Sequence, residues 1–509
     1  MFAGILALYL FLPTKNYYWD GIDFAQHIED VPSLDPSLLH PNHLFYNVVG
    51  YLVYRAVRST GLQVRAVAVL QVLNSLISVM SAYVLLRILL DCFKSIYVGV
   101  VLTLLFAFSA TWWKFSTDAD SYILSVFFLL VSFYLILPLR KPRPFAVALA
   151  HTLSMFFHQL AVLFFPVILL GLILQASSHG AKSRLIPALK YSLTASLMTF
   201  SVFCYSFYLA AGGFAPKPFL SWVTTFSPEH GFTFNAWNNL TYTLRGHSRL
   251  FVGGRLDFLR DSMNAWMLVL VIALSLVTVI FFYKLIRGFK ELKAGFRSAL
   301  NDDGRFKPLR LLCAVWIGCY IIFLFFFIPQ NTFYRLFYLP AIIILMGTFL
   351  APYEATQNHI RRFRAALFVV LIASVNLTFL IYPYAQVSAN PTLKLALAMN
   401  KVWRPGAVVY FAARNSDNAL VRYFNPSVSW IEADPGLIES ELPLLERENK
   451  DAWLETSLID RYQATPEGRR WLESHTLRRP EYELVNDKYR VEFYQLRLPA
   501  LDSTQLSGK

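Results

Sequence analysis

Charge is scarce in this chain. Only 15% of its 509 residues are Asp, Glu, Lys or Arg, while 56% are hydrophobic and 16% aromatic. Soluble globular proteins carry about a quarter charged residues, so an ordinary soluble enzyme is excluded. A disordered chain is excluded too, because such chains have little apolar surface to bury. Cysteine is scarcer still. The four residues, Cys92, Cys204, Cys313 and Cys319, lie in or beside apolar segments, which excludes a disulfide-stapled scaffold. Acids are missing from the apolar runs: all fifteen Asp and Glu before residue 384 fall in loops or at span ends. An ion-coupled transporter keeps acids within the bilayer for its relay, and their absence counts against transport. No internal repeat or low-complexity segment is present.

What the chain does have is long apolar runs. Against a criterion of about 20 residues per bilayer helix, they predict about eleven spans: Met1–Leu12, then 65–87, 95–111, 120–138, 145–157, 159–175, 187–211, 264–286, 309–328, 336–351 and 365–383. The first reads as an anchor without a cleavage site, or as the start of a truncated gene. The stretch 145–175 has basic residues at both ends, Arg140, Lys141 and Arg143 before it and Lys182 and Arg184 after it. A hairpin of two short helices with His158 at its outer tip satisfies the positive-inside rule. The outer side then receives the loops 13–64, 112–119, 212–263 and 329–335, together with everything after about 384. The net charge of +14 sits in the membrane part: residues 1–383 hold 30 Lys and Arg against 15 acids, and 384–509 hold 16 against 17. That is the footprint of cytoplasmic loops and lipid phosphates, not of a nucleic-acid stripe.

The predicted architecture is an all-α polytopic membrane domain, 1–383, followed by a small extracytoplasmic α/β domain, 384–509. In the latter, strand-like runs at Val408–Ala412, Val428–Ile431, Ala452–Leu458 and Tyr489–Leu498 alternate with helical patterns at 391–401, 437–448 and 464–474. It lacks a phosphate loop, a GxSxG turn and metal-ligand spacing, and reads as a lid or docking domain.

Polar chemistry is therefore left to the outer loops. In the first, Asp20 and Asp23 are three residues apart, so one helical turn puts both carboxylates on one face. They suit a general base or a cation site, and equally an ordinary solvated helix start. His40-Pro41-Asn42-His43 follows. The second loop, Trp112-Trp113-Lys114-Phe115-Ser116-Thr117-Asp118-Ala119-Asp120, offers acids that either cap the next span or face the same cavity. His158 is an interfacial residue or a phosphate donor, and His151 a packed polar one. Arg335 heads a span within Pro329–Pro340, where a planar fork grips a phosphate or snorkels. The 212–263 loop adds Glu229, His230, Arg245, His247, Arg249 and Arg255 without diagnostic spacing.

The ordered set resembles the GT-C membrane glycosyltransferases. It is most similar to the branch whose first loop carries Asp-Ser-Gly-Glu and then His-Pro-Pro-Gly, which includes protein O-mannosyltransferase-like members. Asp20-Gly21-Ile22-Asp23 and His40-Pro41-Asn42-His43-Leu44-Phe45 stand where those motifs would be. Arg65-Ala66-Val67 through Asn74-Ser75-Leu76, then Phe106–Ser109 with Trp112 and Asp120-Ser121-Tyr122, then His158, then Arg335 with Leu339-Pro340, follow in order. Asp23 replaces the family's Glu, and the Pro-Gly after His40-Pro41 is missing.

The resemblance implies an inverting transfer of sugar from a polyprenyl-phosphate donor to a glycan, lipid or protein acceptor hydroxyl. Asp23 is then the base with Asp20 second, Arg335 and His158 hold the donor phosphate, and Asp120, His40 and His43 support the acceptor or a cation. The partners are that donor, the acceptor and membrane lipids, with no nucleic acid. No cofactor is required, although some GT-C enzymes use Mg²⁺ or Mn²⁺. A bacterial plasma membrane is favoured because no retention or lipidation signal occurs. Two rivals remain: a lipid or glycan transporter, and a polysaccharide ligase or polymerase taking a pyrophosphate-linked donor through Arg245, His247 or Arg255.

Overall fold

The computed structural model describes residues 1–178, 184–224, 231–254, 264–287, 304–354, 359–412, 416–448, 450–476, 484–486 and 489–497. They form two compact units, Met1–Thr14 with Phe24–Ala385 and Lys15–Asp23 with Gln386–Lys509. The sequence reading kept 13–64 together as one loop of the membrane part. In the structure Lys15–Asp23 instead packs with the second unit, where Asn390 Nδ2 donates to the Lys15 carbonyl (2.9 Å) and Tyr17 meets Phe424 (5.9 Å).

The first unit is helical. Its helices are α1 (Phe2–Phe11), α2 (Trp19–Asp30, begun in the second unit), α3 (Tyr46–Ser59), α4 (Ala66–Phe93), α5 (Ile96–Ala107), α6 (Ala110–Ser116), α7 (Tyr122–Leu135) and α8 (Pro144–Phe157). There follow α9 (Phe165–Ser178), α10 (Ile186–Ala211), α11 (Pro216–Val223), α12 (Ala236–Phe251), α13 (Ala265–Arg287), α14 (Lys307–Phe326), α15 (Leu339–Glu354) and α16 (His359–Asn376). Among the described residues, six stretches are long and apolar enough to cross a membrane: Ala66–Phe93, Gln159–Ser177, Ile186–Ala211, Ala265–Lys284, Lys307–Phe326 and Arg362–Tyr384, or seven if the bent pair Ile96–Ala107 and Ala110–Ser116 is one span. Shorter apolar helices at Phe2–Phe11, Tyr122–Leu135, Pro144–Phe157 and Leu339–Ala351 accompany them. The chain is a multi-pass membrane protein.

Two local features matter for the site. The apolar run 145–175 breaks at His158, as its flanking charges predict: α8 ends there, and a 3₁₀ turn, Gln159–Phe164, leads into α9. The run 95–111, expected as one span, is bent by 67° between α5 and α6. The bend is stable because the carbonyls it frees find donors: Ser109 Oγ bonds the Phe106 carbonyl (2.8 Å), and Asn376 Nδ2 bonds that of Phe108 (2.8 Å).

The second unit is an α/β layer. Strand β1 (Val408–Phe411) lies parallel between β2 (Ser429–Glu432) and β3 (Ala452–Glu455). A short hairpin joins β4 (Leu484–Asn486) to β5 (Tyr489–Val491), and β6 (Phe493–Gln495) runs antiparallel to β3. Apolar cores cover both faces, one around Tyr410 and Leu454, the other around Val409 and Trp453. Two expected strands are shorter than the pattern predicts. The run 452–458 stops at Glu455, whose carboxylate accepts the Ser457 N–H (2.9 Å) and starts the helix Thr456–Gln463. The run 489–498 splits between β5 and β6.

Candidate active site

The site grows from a polar face of α4. Glu29 fixes the start of that helix: its carboxylate pairs with Arg65 (2.9 Å) and accepts the Ala66 N–H (2.6 Å). One to three turns on, Gln71 donates to the carbonyls of Thr14 (2.8 Å) and Thr117 (2.9 Å). Asn74 donates to those of Asp118 and Asp120, both at 2.7 Å, and Ser75 to that of Ser116 (2.9 Å). Interhelical bonds of this kind are worth about 0.6–2 kcal/mol each in a membrane. Together they hold an irregular turn beside a span, where unpaired carbonyls are costly.

That turn carries Asp118 and Asp120, both fully buried. Each carboxylate accepts the N–H of the following residue, Ala119 (2.9 Å) and Ser121 (2.6 Å). Tyr46, at the start of α3, faces them. Burial pushes its phenol well above the usual range, and the charge of Asp120 pushes it further.

Ser121 leads to the histidines. His43 Nδ1 lies 2.7 Å from Ser121 Oγ and 3.4 Å from the Phe157 carbonyl, and its Nε2 lies 3.3 Å from Asn42 Nδ2. Burial drives the His43 pKa down to about 3; His40, stacked at 5.8 Å, adds to the depression, and the Phe157 carbonyl opposes it. The ring is therefore neutral near pH 7. His158 meets His43 edge-on at 4.8 Å. Its Nδ1 accepts the Leu160 N–H (3.1 Å), so the neutral ring carries its proton on Nε2. That nitrogen is buried and has no hydrogen-bond partner among the described residues. Tyr122 (5.1 Å), Phe337 (5.1 Å) and Tyr334 (5.5 Å) enclose the ring.

Arg335 is only 1% exposed. Its guanidinium donates to the carbonyls of Pro329 (2.8 Å) and Asn331, and no carboxylate pairs with it among the described residues. It rests on Gly246 of α12, where any Cβ would overlap it. Burial lowers its pKa, and Tyr338 opposes that. Arg335 thus braces the turn 329–335 from behind and brings a positive charge there.

The front of that turn lines a cavity of about 510 Å³, walled by Thr111, Lys114, Phe115, Arg249, Gln330–Phe333 and Tyr384. Phe333 stacks on Tyr122 at 5.0 Å, which joins the cavity to the histidine cluster. Lys114 Nζ stands 4.9 Å from the Phe115 ring and 5.8 Å from that of Tyr384. On the other side of the cluster, Gln159 follows His158 into a second cavity of the same volume, lined by Met155, Val162, Phe165, Ala195, Phe200 and Phe203. Here His151 is spent on structure, bonding the Ala161 carbonyl (2.9 Å) and Tyr191 (2.7 Å).

The structure therefore brings His40, His43, His158 and Asp120 together and puts Arg335 behind the adjoining wall. Asp20, half-buried, and Asp23, exposed, share α2 within the segment that packs with the second unit. From the 212–263 loop, His247 bonds Thr243 (2.7 Å) and Tyr338 (3.1 Å) and Arg245 is exposed; Glu229, His230 and Arg255 lie outside the described residues. Sequence reasoning named Lys114 and Arg249 in their loops but gave neither a role, and both line the polar cavity. Lys114 carried a signal, a lone cation between aromatic and apolar neighbours; Arg249 carried none. Among the described residues, no three His, Cys, Asp or Glu side chains are grouped to hold a metal.

No family model and no curated protein matches this chain. Among the solved structures that share its fold are two at 12% identity, each match covering 97% of this chain and 96% of the other. They are ArnT from Cupriavidus metallidurans bound to undecaprenyl phosphate, with a TM-score of 0.57, and the same protein in the apo state, at 0.56. The chain shares the overall fold of ArnT.

Proposed function

We propose that this chain transfers a sugar from a polyprenyl-phosphate donor to an acceptor hydroxyl, at the outer face of a bacterial plasma membrane. The observation that carries this is the pair of cavities. The polar one presents Lys114 and Arg249 beside the amide and hydroxyl groups of Gln330–Thr332, which suits a phosphate carrying a polyol. The apolar one suits an isoprenoid chain. A structure of the same fold is bound to undecaprenyl phosphate.

In the step, the acceptor oxygen bonds the anomeric carbon as the bond from that carbon to the phosphate oxygen breaks. The electron pair leaves on the phosphate, and configuration inverts. A preset positive field stabilises that charge: Lys114 and Arg249 at the cavity wall, with Arg335 behind. His158 Nε2–H is a further donor. The acceptor proton goes to a carboxylate of α2, Asp23 first and Asp20 second, as the resemblance to the O-mannosyltransferase-like branch implies. Asp120, His40 and His43 hold the turns on which the site rests. The domain after residue 384 is extracytoplasmic in this reading.

A pyrophosphate-linked donor is the second reading. It is favoured by one observation, that Arg249 reaches the cavity from the 212–263 loop. Membranes supplied with radiolabelled undecaprenyl-phosphate and undecaprenyl-pyrophosphate sugars test both. Transfer from the monophosphate donors, lost in Lys114→Ala at equal expression, supports the first reading. Transfer from pyrophosphate donors alone supports the second, and transfer from neither overturns both.

A further inference from the structure

Both cations of the polar cavity are carried by helices that meet at one buried side chain. Asn376 ends α16 and is fully buried. Its Nδ2 donates to the carbonyls of Phe108 (2.8 Å) and Phe251 (2.7 Å), and its Oδ1 accepts the Gly253 N–H (3.0 Å). Phe108 is the bend from which α6 runs to Lys114. Phe251 closes α12 two residues after Arg249, and Gly253 itself lines the cavity. Thr111 Oγ1 ties the same two helices by donating to the Arg249 carbonyl (2.9 Å).

Beyond Asn376 the helix widens into a π-helical turn, Leu377–Ile381, whose Leu380 is also in the cavity wall. Such turns are frequent at functional sites. The chain after α12 presses against this turn. Gly254 has φ +119°, and a Cβ there would overlap the Phe379 carbonyl oxygen. Three walls of the cavity, from α6, from the end of α12 and from the π turn, are thus joined at a single carboxamide.

Among the standard side chains this joint fits Asn. It needs two donors and one acceptor at that reach. Asp has the same shape but turns an oxygen toward two carbonyls, and Gln is one methylene too long. Asn376 does not line the cavity, so whatever it does for a ligand it does through the groups it holds. We infer that Asn376 is a positioning residue, which sets the spacing of Lys114 and Arg249 and through it the affinity of the cavity for a lipid-linked phosphate monoester. This rests on the reading of the cavity given above.

The test uses the full-length protein purified in detergent and titrated with undecaprenyl phosphate by native mass spectrometry. Lys114→Ala, Arg249→Ala, Asn376→Asp and the Asn376→Asp/Lys114→Ala double variant are compared. Positioning predicts that Asn376→Asp weakens binding by about tenfold, and that the loss shrinks below about twofold once Lys114 is gone, because coupled sites are not additive. The same fold-loss in both backgrounds overturns the inference, as does a lowered Tm with wild-type affinity. If the two cation variants bind normally, the cavity reading itself fails. If they bind weakly and Asn376→Asp binds like wild type, only the role of Asn376 fails. Should Asn376→Asp aggregate, Gly253→Ala takes its place. It keeps the N–H, but its Cβ would meet Ala110 Cβ at 2.9 Å and Leu380 Cδ2 at 3.0 Å, shifting the same joint. About threefold weaker binding supports the inference, and unchanged binding overturns it.

Discussion

The two cavities have the same volume, about 510 Å³ each, and opposite linings. One is built from helix faces, where Ala195, Phe200 and Phe203 of α10 oppose Met155 of α8 and Val162 and Phe165 of the segment after His158. The other is built from helix ends and turns: the short α6, the last turn of α12 and the turn 329–333. Helix faces in a membrane are apolar because their backbone groups are already paired. Helix ends expose unpaired N–H and C=O groups and tolerate polar side chains. The difference teaches where polar chemistry is affordable in such a fold: at broken helices whose freed groups are paired by Asn74, Gln71, Ser75 and Asn376.

Predictions follow from this division, in order of size. The largest effect is expected for a group proposed to act on the proton. Asp23→Asn lowers the rate of sugar transfer by about 10²–10⁴-fold while donor binding is kept; steady-state kinetics that show a raised KM with unchanged kcat would move the base elsewhere.

Next, Lys114→Ala and Arg249→Ala each remove a charged contact worth about 1.5–3 kcal/mol, which raises the donor KM by about ten- to a hundredfold. A change to the apolar cavity is predicted to act differently. Ala195→Phe narrows that cavity and reduces transfer from long-chain donors by about fivefold, with little effect on donors of ten carbons. Equal losses for both chain lengths would erase the distinction between the cavities.

The smallest effect is on stability. The buried His43 has its pKa depressed from 6.5 to about 3, so between those values the unfolded state binds the proton and the folded state does not. Stability is then complete above pH 6.5 and lost as pH falls toward 3. Thermal melts in detergent should show Tm falling below pH 6.5, with a shallower slope in His43→Gln; identical slopes would remove His43 from that dependence.

Much of the fold is legible in the sequence for a simple reason. A run of about twenty apolar residues has few uses other than a buried or membrane helix, and basic flanks on both sides of 145–175 require a turn within it. His158 was located by that argument alone. The bend at Phe108–Ser109 was not, because apolar residues lie on both sides and the donor that stabilises it, Asn376, is far along the chain. The same distance hides the polar cavity, since Lys114, Arg249 and Gln330 meet only in three dimensions. The join of Lys15–Asp23 to the second unit was equally invisible: backbone and ring contacts such as Asn390 to Lys15 leave no periodic trace. Arg335 was found, but its task was not. A guanidinium tied to Pro329 and Asn331 looks in sequence like one tied to phosphate.

The central claim is that one lipid-linked phosphate uses both cavities, its charged end beside Lys114 and Arg249 and its chain beside α8 and α10. Photocrosslinking of the purified protein with a diazirine-bearing polyprenyl phosphate tests it most directly. The account predicts labelled peptides from 151–165 and 195–203, with labelling lost in Lys114→Ala and Arg249→Ala. Labelling confined to other spans, or undiminished when both cations are removed, would contradict it.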